Sequence, residues 1–202
     1  MPMTLFYAPR SPFAAKVRVC LAEMAGAKDE VEEVPADPWT DETLRALNPL
    51  CKVPTLRLDA AAGGGNLYGS SVIVQYLDAR FDGKLVPTEG PTRWDALRRE
   101  ALGDGLAEAV IRRFVEGLDP DNARRDKVIA RQEAAITAVL DHLDAEAAWT
   151  ESALDLGAVA VGTALRYLTG RSPEITWQAE RPRLAGWFGR FITRPSVATL
   201  GY

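Results

Sequence analysis

The N-terminal part of the chain alternates short apolar runs with a helical pattern, which predicts a small sheet covered by helices. Residues 4–7 form a β-branched and aromatic run, and residues 31–34 form a second one. Between them, Ser11-Pro12 is a typical helix start, and apolar residues follow at helical spacing until Gly26. A strand, a helix and a strand in this order predict a βαβ unit with a parallel pair of strands.

The next stretch predicts a hairpin and another helix. Residues 55–58 and 66–68 are short runs of strand type, and the Ala- and Gly-rich loop between them suits a chain reversal. A short helix over residues 41–47 precedes this hairpin. Ser70 and Ser71 then precede apolar residues at helical spacing. The first eighty residues therefore read as βαβ followed by ββα.

The remaining chain shows no pattern of strand type and is predicted to be helical. Residues 81–92 contain several Gly and Pro residues and have the composition of a linker. Amphipathic helical stretches then follow over residues 93–117, 122–147, 152–167 and 182–193. We therefore predict an α/β domain over residues 1–80, a linker over residues 81–92, and an all-α helical bundle domain over residues 93–202.

The segment Ser152-Ala153-Leu154-Asp155 precedes a run of small and apolar residues. This spacing resembles a capping box in which Ser152 begins the helix and Asp155 takes the acidic position. The run that follows is apolar on all sides, which predicts a buried helix.

Composition and charge narrow the function classes. The 202 residues are 47% hydrophobic and 26% charged, as in folded globular proteins, and the net charge of -4 comes without a dense run of Lys and Arg. We therefore expect no nucleic-acid partner. A single histidine, His142, leaves little material for a histidine-rich metal site, so no metal is expected.

Cysteine usage and hydropathy suggest a compartment. The chain has two cysteines, Cys20 and Cys51, without a CxxC pair, and no signal-peptide pattern precedes residue 4. No apolar run approaches the length of a membrane span. These features predict a cytoplasmic protein without a membrane partner.

One proline stands where an apolar strand should begin. It lies in the segment Asn48-Pro49-Leu50-Cys51-Lys52-Val53-Pro54-Thr55-Leu56. A proline at this position indicates either an ordinary trans bond at the start of a strand or a tight turn with a cis bond, and these residues alone leave both open.

A thioredoxin-like βαβ-ββα half with a proline before its third strand, joined to an all-helical half, resembles the cytosolic glutathione transferases. The likeness spans nearly the whole chain. It rests on residues 11–18, 48–56, 68–77, 152–155, 181–188 and 194–196, whose order and spacing match that family. The serine at the start of residues 11–18 is similar to bacterial members that carry a serine at the active position.

The resemblance implies a function and a set of site residues. It implies transfer of the thiol of glutathione to a small electrophilic, hydrophobic acceptor, a detoxification reaction, with Ser11 as the catalytic residue that stabilises the thiolate. It also implies that Val53, beside a cis Pro54, binds the cysteinyl part of glutathione, and that Ser70 and Ser71 receive the γ-glutamyl carboxylate. Lys52 is the candidate for the glycyl carboxylate.

One position departs from the family pattern. The family usually has Glu or Asp before the serine that starts the helix of residues 70–77, whereas this chain has Gly69. Because the acidic partner of the glutathione amine is missing, we expect weaker glutathione binding. This keeps open a non-catalytic binding or interaction protein of the same fold. A glutathione-dependent reductase or isomerase is a third possibility.

The resemblance further implies a homodimer and a second-substrate site. The helical stretch with Leu102, Leu106 and Ile111 is expected to face the cleft between the two domains and to shape the acceptor site. The identity of the acceptor does not follow from these residues.

Overall fold

The computed structural model describes residues 2–61, 63–118, 120, 122–198 and 200, with the side chain of residue 147 excepted. The chain forms two compact units, which we call the sheet unit and the helical unit. The sheet unit comprises residues 1–93 and the chain from residue 195 onward, and the helical unit comprises residues 94–194.

The sheet unit contains a four-stranded mixed sheet. Its strands are β1 (Met3–Tyr7), β2 (Val31–Pro35), β3 (Thr55–Arg57) and β4 (Asn66–Tyr68), in the spatial order β2-β1-β3-β4. β1 pairs with β2 in parallel, and β3 pairs with β1 and β4 in antiparallel fashion. The predicted parallel pair and hairpin are therefore confirmed.

The register of the strands lines up one end of this sheet. Phe6 in β1 lies opposite Thr55 in β3, and Thr55 lies opposite Tyr68 in β4. The end of β1, the start of β3 and the end of β4 therefore share one edge, which we call the exit edge. On the other side of β1, Tyr7 lies opposite Pro35, the last residue of β2.

Helices cover the sheet. In the sheet unit these are α1 (Pro12–Glu23), α2 (Ala27–Glu30), α3 (Glu42–Leu47), α4 (Ser70–Phe81) and α9 (Pro195–Ala198). α1 packs against α4. Fully buried apolar side chains from strands and helices form the core, among them Met3, Leu5, Val17, Leu21, Leu56, Ile73 and Leu77.

The helical unit is built around one buried helix. It holds most of α5 (Gly90–Glu116), then α6 (Ala123–Ala145), a 3₁₀ helix (Ala147–Glu151), α7 (Leu156–Arg171) and α8 (Pro182–Ile192). α7 is buried along most of its length, as its apolar run predicts. A Cβ atom added at Gly103 would lie 2.5 Å from the backbone of Ala160, so α5 and α7 make backbone contact there.

The start of α7 differs from the sequence prediction. α7 begins at Leu156, and its N-cap is Asp155, whose carboxylate accepts a hydrogen bond from the Ala158 N–H at 2.8 Å. The prediction that Ser152 begins this helix was wrong, because Asp155 caps the helix itself and Ser152 ends the preceding 3₁₀ helix.

Helices extend into the predicted linker of residues 81–92 from both sides. α4 continues to Phe81, and α5 already begins at Gly90, with Pro91 in the first turn, where a proline costs no helical hydrogen bond. At the C-terminal side, α9 packs on α1, and the Ser196 hydroxyl donates to the Glu23 carboxylate. The compact units therefore divide the chain at residue 195, within the predicted helical domain of residues 93–202.

Candidate glutathione site

Three segments adjoin the exit edge of the sheet, and each carries a residue that the sequence analysis named as a candidate. Ser11 follows the short loop after β1, the Val53-Pro54 pair directly precedes β3, and Ser70 comes just after β4. Because β1, β3 and β4 align at Phe6, Thr55 and Tyr68, these three segments begin from one edge. The sheet topology thus groups candidates that are far apart in the sequence.

Ser11 is the N-cap of α1. Its backbone is extended, with φ -81° and ψ 120°, and its Oγ accepts a hydrogen bond from the Ala14 N–H at 3.2 Å. A serine hydroxyl has one proton to donate as well as lone pairs to accept. The helix cap uses only a lone pair, so the proton of this partly exposed hydroxyl stays available to an anion beyond the helix start.

Val53 and Pro54 form a turn at the mouth of β3. The peptide bond between them is cis. Pro54 is buried and Val53 is partly buried, whereas Lys52 is exposed. Among the described residues, neither the N–H nor the C=O of Val53 makes a hydrogen bond. Both groups can therefore pair with an extended peptide, as the edge of a strand does.

A buried hydrogen-bond network supports this turn, and sequence reasoning missed it. The Asn48 Nδ2 donates to the Lys52 carbonyl at 3.0 Å and to the Thr55 Oγ1 at 2.9 Å. Asn48 and Thr55 are both almost completely buried, at 1% and 0% exposed. The available signal was a polar residue on each side of the turn, with Asn48 before Pro49 and Thr55 after Pro54.

Ser70 opens α4 without a side-chain cap before it. The N-cap position is Gly69, which has no side chain to accept from the first N–H groups of the helix. Ser70 itself is buried, and Ser71 beside it is partly buried. Uncapped N–H groups at a helix start, together with the helix dipole, favour a bound anion.

Gly69 also has a special backbone conformation. Its φ is 80° and its ψ is 127°, values that a residue with a Cβ adopts only under strain. A Cβ added there would meet no atom within 4 Å, so the constraint comes from the backbone and not from crowding. The glycine therefore relaxes the turn between β4 and α4, and it offers no side-chain group to a ligand there.

The predicted second-substrate residues lie on α5. Leu106 is fully buried, and Leu102 and Ile111 are partly buried. Leu102 and Leu106 are four residues apart, so they share a face of the helix, whereas Ile111 lies further along it. They stay candidates for the acceptor site.

The described part of the chain lacks two further features. No group of three or more His, Cys, Asp or Glu side chains there could hold a metal ion. None of the helices found in the described ranges has the length and apolar character needed to cross a membrane.

Comparison with known proteins identifies the family. Residues 10–80 match the family model described as glutathione S-transferase, N-terminal domain, and residues 126–190 match the glutathione S-transferase, C-terminal domain. The chain belongs to the glutathione transferase family. A search of curated protein sequences gave no match.

Solved structures agree with this assignment. A glutathione transferase family member from Pseudomonas fluorescens Pf-5, solved with bound glutathione, is 35% identical with a TM-score of 0.90, and 98% of each chain is covered. A glutathione S-transferase from Methylobacillus flagellatus KT with bound glutathione is 32% identical, again with 98% of each chain covered, and has a TM-score of 0.88.

A third solved structure is also similar to this chain. It is a glutathione S-transferase from Methylobacterium radiotolerans JCM 2831, solved in complex with glutathione sulfonate. It is 34% identical, with 98% of this chain and 93% of that chain covered and a TM-score of 0.85. The thioredoxin-like sheet domain and the helical domain are thus those of the family.

Proposed function

We propose that this protein is an enzyme, a glutathione transferase that conjugates the thiol of glutathione to a small electrophilic, hydrophobic substrate. The observation that supports this most directly is the grouping of Ser11, Val53 and Ser70 at the exit edge. These segments offer a hydroxyl donor, an unpaired backbone N–H and C=O, and a helix N-terminus without a side-chain cap. Those are the groups that a tripeptide with a thiol and two carboxylates requires.

Glutathione would lie across the exit edge in an extended form. The N–H and C=O of Val53, next to Pro54, would pair with the cysteinyl unit as one strand pairs with another. The γ-glutamyl carboxylate would bind at the start of α4, where Ser70 and Ser71 add their hydroxyls to the N–H groups of the helix. The exposed Lys52 would attract the glycyl carboxylate.

Ser11 would act on the sulfur. The thiolate is the nucleophilic form of a thiol, so groups that favour the charged sulfur raise the reactive fraction. The Ser11 hydroxyl proton and the positive N-terminal end of α1 both favour it. The thiol proton leaves to solvent, the sulfur lone pair forms a C–S bond with the acceptor, and the leaving group departs with its bonding electrons. We propose the serine-type mechanism on this basis.

The acceptor would be bordered by α5. We propose that the partly buried Leu102 and Ile111 contact it and that the buried Leu106 supports their helix from within. Apolar lining of this kind suits a hydrophobic electrophile.

A non-catalytic glutathione-binding protein is the second candidate, and Gly69 favours it. Without a carboxylate at this position, the ammonium group of the γ-glutamyl unit lacks its usual partner. A reductase or isomerase would use the same thiolate on a different acceptor, so the acceptor decides between these chemistries.

We also propose that the protein is a cytoplasmic homodimer. Four large hydrophobic side chains in the described part of the sheet unit are exposed, Trp39 at 86%, Leu50 at 67%, Val72 at 51% and Tyr68 at 37%. A dimer interface would remove such side chains from water. Sedimentation equilibrium measures the oligomeric state directly, and a monomer at micromolar concentration would contradict this part of the proposal.

The function is tested by two assays on one preparation. Calorimetric titration with glutathione measures binding, and conjugation to a chloronitrobenzene electrophile measures transfer. Saturable binding with turnover is expected. Binding without turnover on a panel of electrophiles would favour the non-catalytic protein, and the absence of binding would contradict both candidates.

A further inference from the structure

We propose that Asn48 and Thr55 are positioning residues for glutathione, which act by aiming the Val53 N–H at the ligand. The inference rests on the proposed function, because it assigns a task to two residues that would not touch glutathione. It starts from the buried network behind the turn at the mouth of β3.

The donors and acceptors of this network can be assigned without ambiguity. The Asn48 amide nitrogen can only donate, so the Thr55 Oγ1 at 2.9 Å from it must accept. The Thr55 hydroxyl then has one proton left, and it donates this proton to the Lys52 carbonyl at 2.8 Å. The Asn48 Nδ2 donates to the same carbonyl at 3.0 Å. The Lys52 carbonyl oxygen therefore receives two buried donors.

The Asn48 side chain is itself fixed in place. Its Oδ1 accepts a hydrogen bond from the Leu50 N–H at 3.0 Å, while its backbone carbonyl accepts from the Cys51 N–H at 2.8 Å. All of these partners lie within the loop that Asn48 begins. Asn48 is 1% exposed, so its side-chain amide cannot exchange these partners for water. Hydrogen bonds to Asn48 therefore hold this loop in one conformation.

The orientation of the Val53 N–H follows from peptide geometry. The Lys52–Val53 bond is trans, since Val53–Pro54 is the cis bond recorded among the described residues. In a planar trans peptide the C=O and the N–H point in opposite directions. Because Asn48 and Thr55 draw the Lys52 oxygen into the interior, the Val53 N–H is turned away from it. This N–H makes no hydrogen bond with the described part of the chain.

The network therefore fixes the orientation of the Lys52–Val53 peptide before glutathione binds. A peptide plane that is already fixed in the free protein loses no conformational entropy when the ligand binds. If the plane could rotate, the same N–H would be available only part of the time, and the apparent affinity would fall by that fraction. The effect should appear in glutathione binding and not in the chemical step.

The test compares variants that remove or keep one buried hydroxyl. Thr55→Val removes the hydroxyl that bonds Lys52, and Thr55→Ser keeps it. Thr163→Val is the matched control in the helical unit, where an equally buried hydroxyl bonds the carbonyl of Val159 at 2.9 Å. For each variant we would measure the thermal unfolding temperature, kcat and the KM for glutathione. NMR would give the change in the Val53 amide chemical shift upon titration with glutathione. Asn48→Asp, which cannot donate to Lys52, serves as a second site in the same network.

The substitution Thr55→Val is expected to change the KM for glutathione and to leave kcat nearly unchanged. Thr55→Val should raise the KM for glutathione by roughly tenfold, the effect of one lost hydrogen bond, with kcat within about twofold of wild type. Thr55→Ser should resemble wild type, and Thr163→Val should lose stability without a change in KM. The Val53 amide shift on binding should be smaller in Thr55→Val.

Two outcomes overturn the inference, and they are distinguishable. If wild-type protein binds glutathione but Thr55→Val and Thr163→Val have the same KM, the positioning role is wrong and the proposed function stands. If the wild-type protein fails to bind glutathione, the proposed function falls and the inference falls with it.

Discussion

Arg99 and Asp155 form an ion pair in the helical unit, with 2.5 Å between the Arg99 Nη2 and the Asp155 Oδ2. The other oxygen of Asp155 caps α7 by accepting from the Ala158 N–H. Both side chains of the pair are largely buried. One carboxylate therefore joins α5 to the start of the most buried helix.

Removal of this carboxylate should destabilise the helical unit strongly. Asp155→Ala loses the cap and leaves the Arg99 charge buried without its partner, which together should lower the free energy of unfolding by about 3 kcal/mol. Asp155→Asn can keep the cap and should lose less. Urea denaturation measures both, and equal stability of Asp155→Ala and wild type would contradict the role assigned to this pair.

Substitutions at Gly69 test the part of the proposed site that would bind the γ-glutamyl unit of glutathione. Gly69→Ala should cost about 1 kcal/mol of stability because of its φ of 80°. Gly69→Glu carries the same strain but adds a carboxylate for the γ-glutamyl ammonium, so it should bind glutathione several-fold more tightly than Gly69→Ala. Calorimetry with glutathione and with an analogue that lacks this amine separates the two effects. Equal affinity of both variants for glutathione would show that the carboxylate has no partner there.

Lys52 should contribute a screened charge. Lys52→Gln is expected to weaken glutathione binding about two- to fivefold at low salt, with a smaller effect at high salt, because the side chain is exposed. Lys28→Gln is the matched control, since Lys28 is also exposed but lies on α2, before the opposite end of the sheet. Lys52→Gln should not weaken binding of a glycyl ester of glutathione. A loss as large with the ester as with glutathione would contradict the assignment.

A surface carboxylate provides a pH-dependent contribution to stability. The hydrogen bond from Arg98 at 2.7 Å lowers the pKa of Glu146 below its usual value near 4.5. A lowered pKa in the folded state means stability that is present above the unfolded pKa and lost as the pH falls through the folded pKa. Glu146→Gln should therefore be less stable than wild type at neutral pH, by only about 0.5 kcal/mol because the pair is exposed.

The measurement is a series of thermal melts from neutral pH to about pH 3. The difference between Glu146→Gln and wild type should shrink as the pH falls, because Glu146 then takes up a proton in the folded state as well. A difference that stays constant over this range would show that the charge is not its source.

Much of the sheet unit follows from local patterns. Ser11-Pro12 combines a good N-cap with a residue that favours the first turn, so α1 starts where the sequence indicates. The strand patterns around residues 4–7 and 55–58 also differ little from β1 and β3. These features depend on near neighbours in the chain and are therefore visible without the fold.

The parts that could not be predicted depend on distant contacts. α2 and α9 have four residues each, too few for a helical pattern, and α9 is held by packing on α1. The Asn48 and Thr55 network needs the turn to be closed before its two ends meet. Asp155 also fits two capping schemes, and the position of α7 against α5 decides between them.

Under the proposed mechanism, Ser11 stabilises the thiolate of bound glutathione. Ultraviolet absorbance of the thiolate, recorded against pH for the glutathione complex, measures the pKa of the bound thiol. In wild type this pKa should lie below the value of about 8.5 that is usual for a cysteine thiol. In Ser11→Ala it should rise by about one unit or more, and kcat for conjugation at neutral pH should fall about tenfold.

The matched control for that measurement is Asn122→Ala. Asn122 caps α6 through a hydrogen bond from the Arg125 N–H, so this variant loses a helix cap as Ser11→Ala does, but in the helical unit. It should leave the thiol pKa unchanged. We expect a raised thiol pKa in Ser11→Ala and not in Asn122→Ala. The same thiol pKa in wild type and Ser11→Ala, with glutathione bound to both, would contradict it.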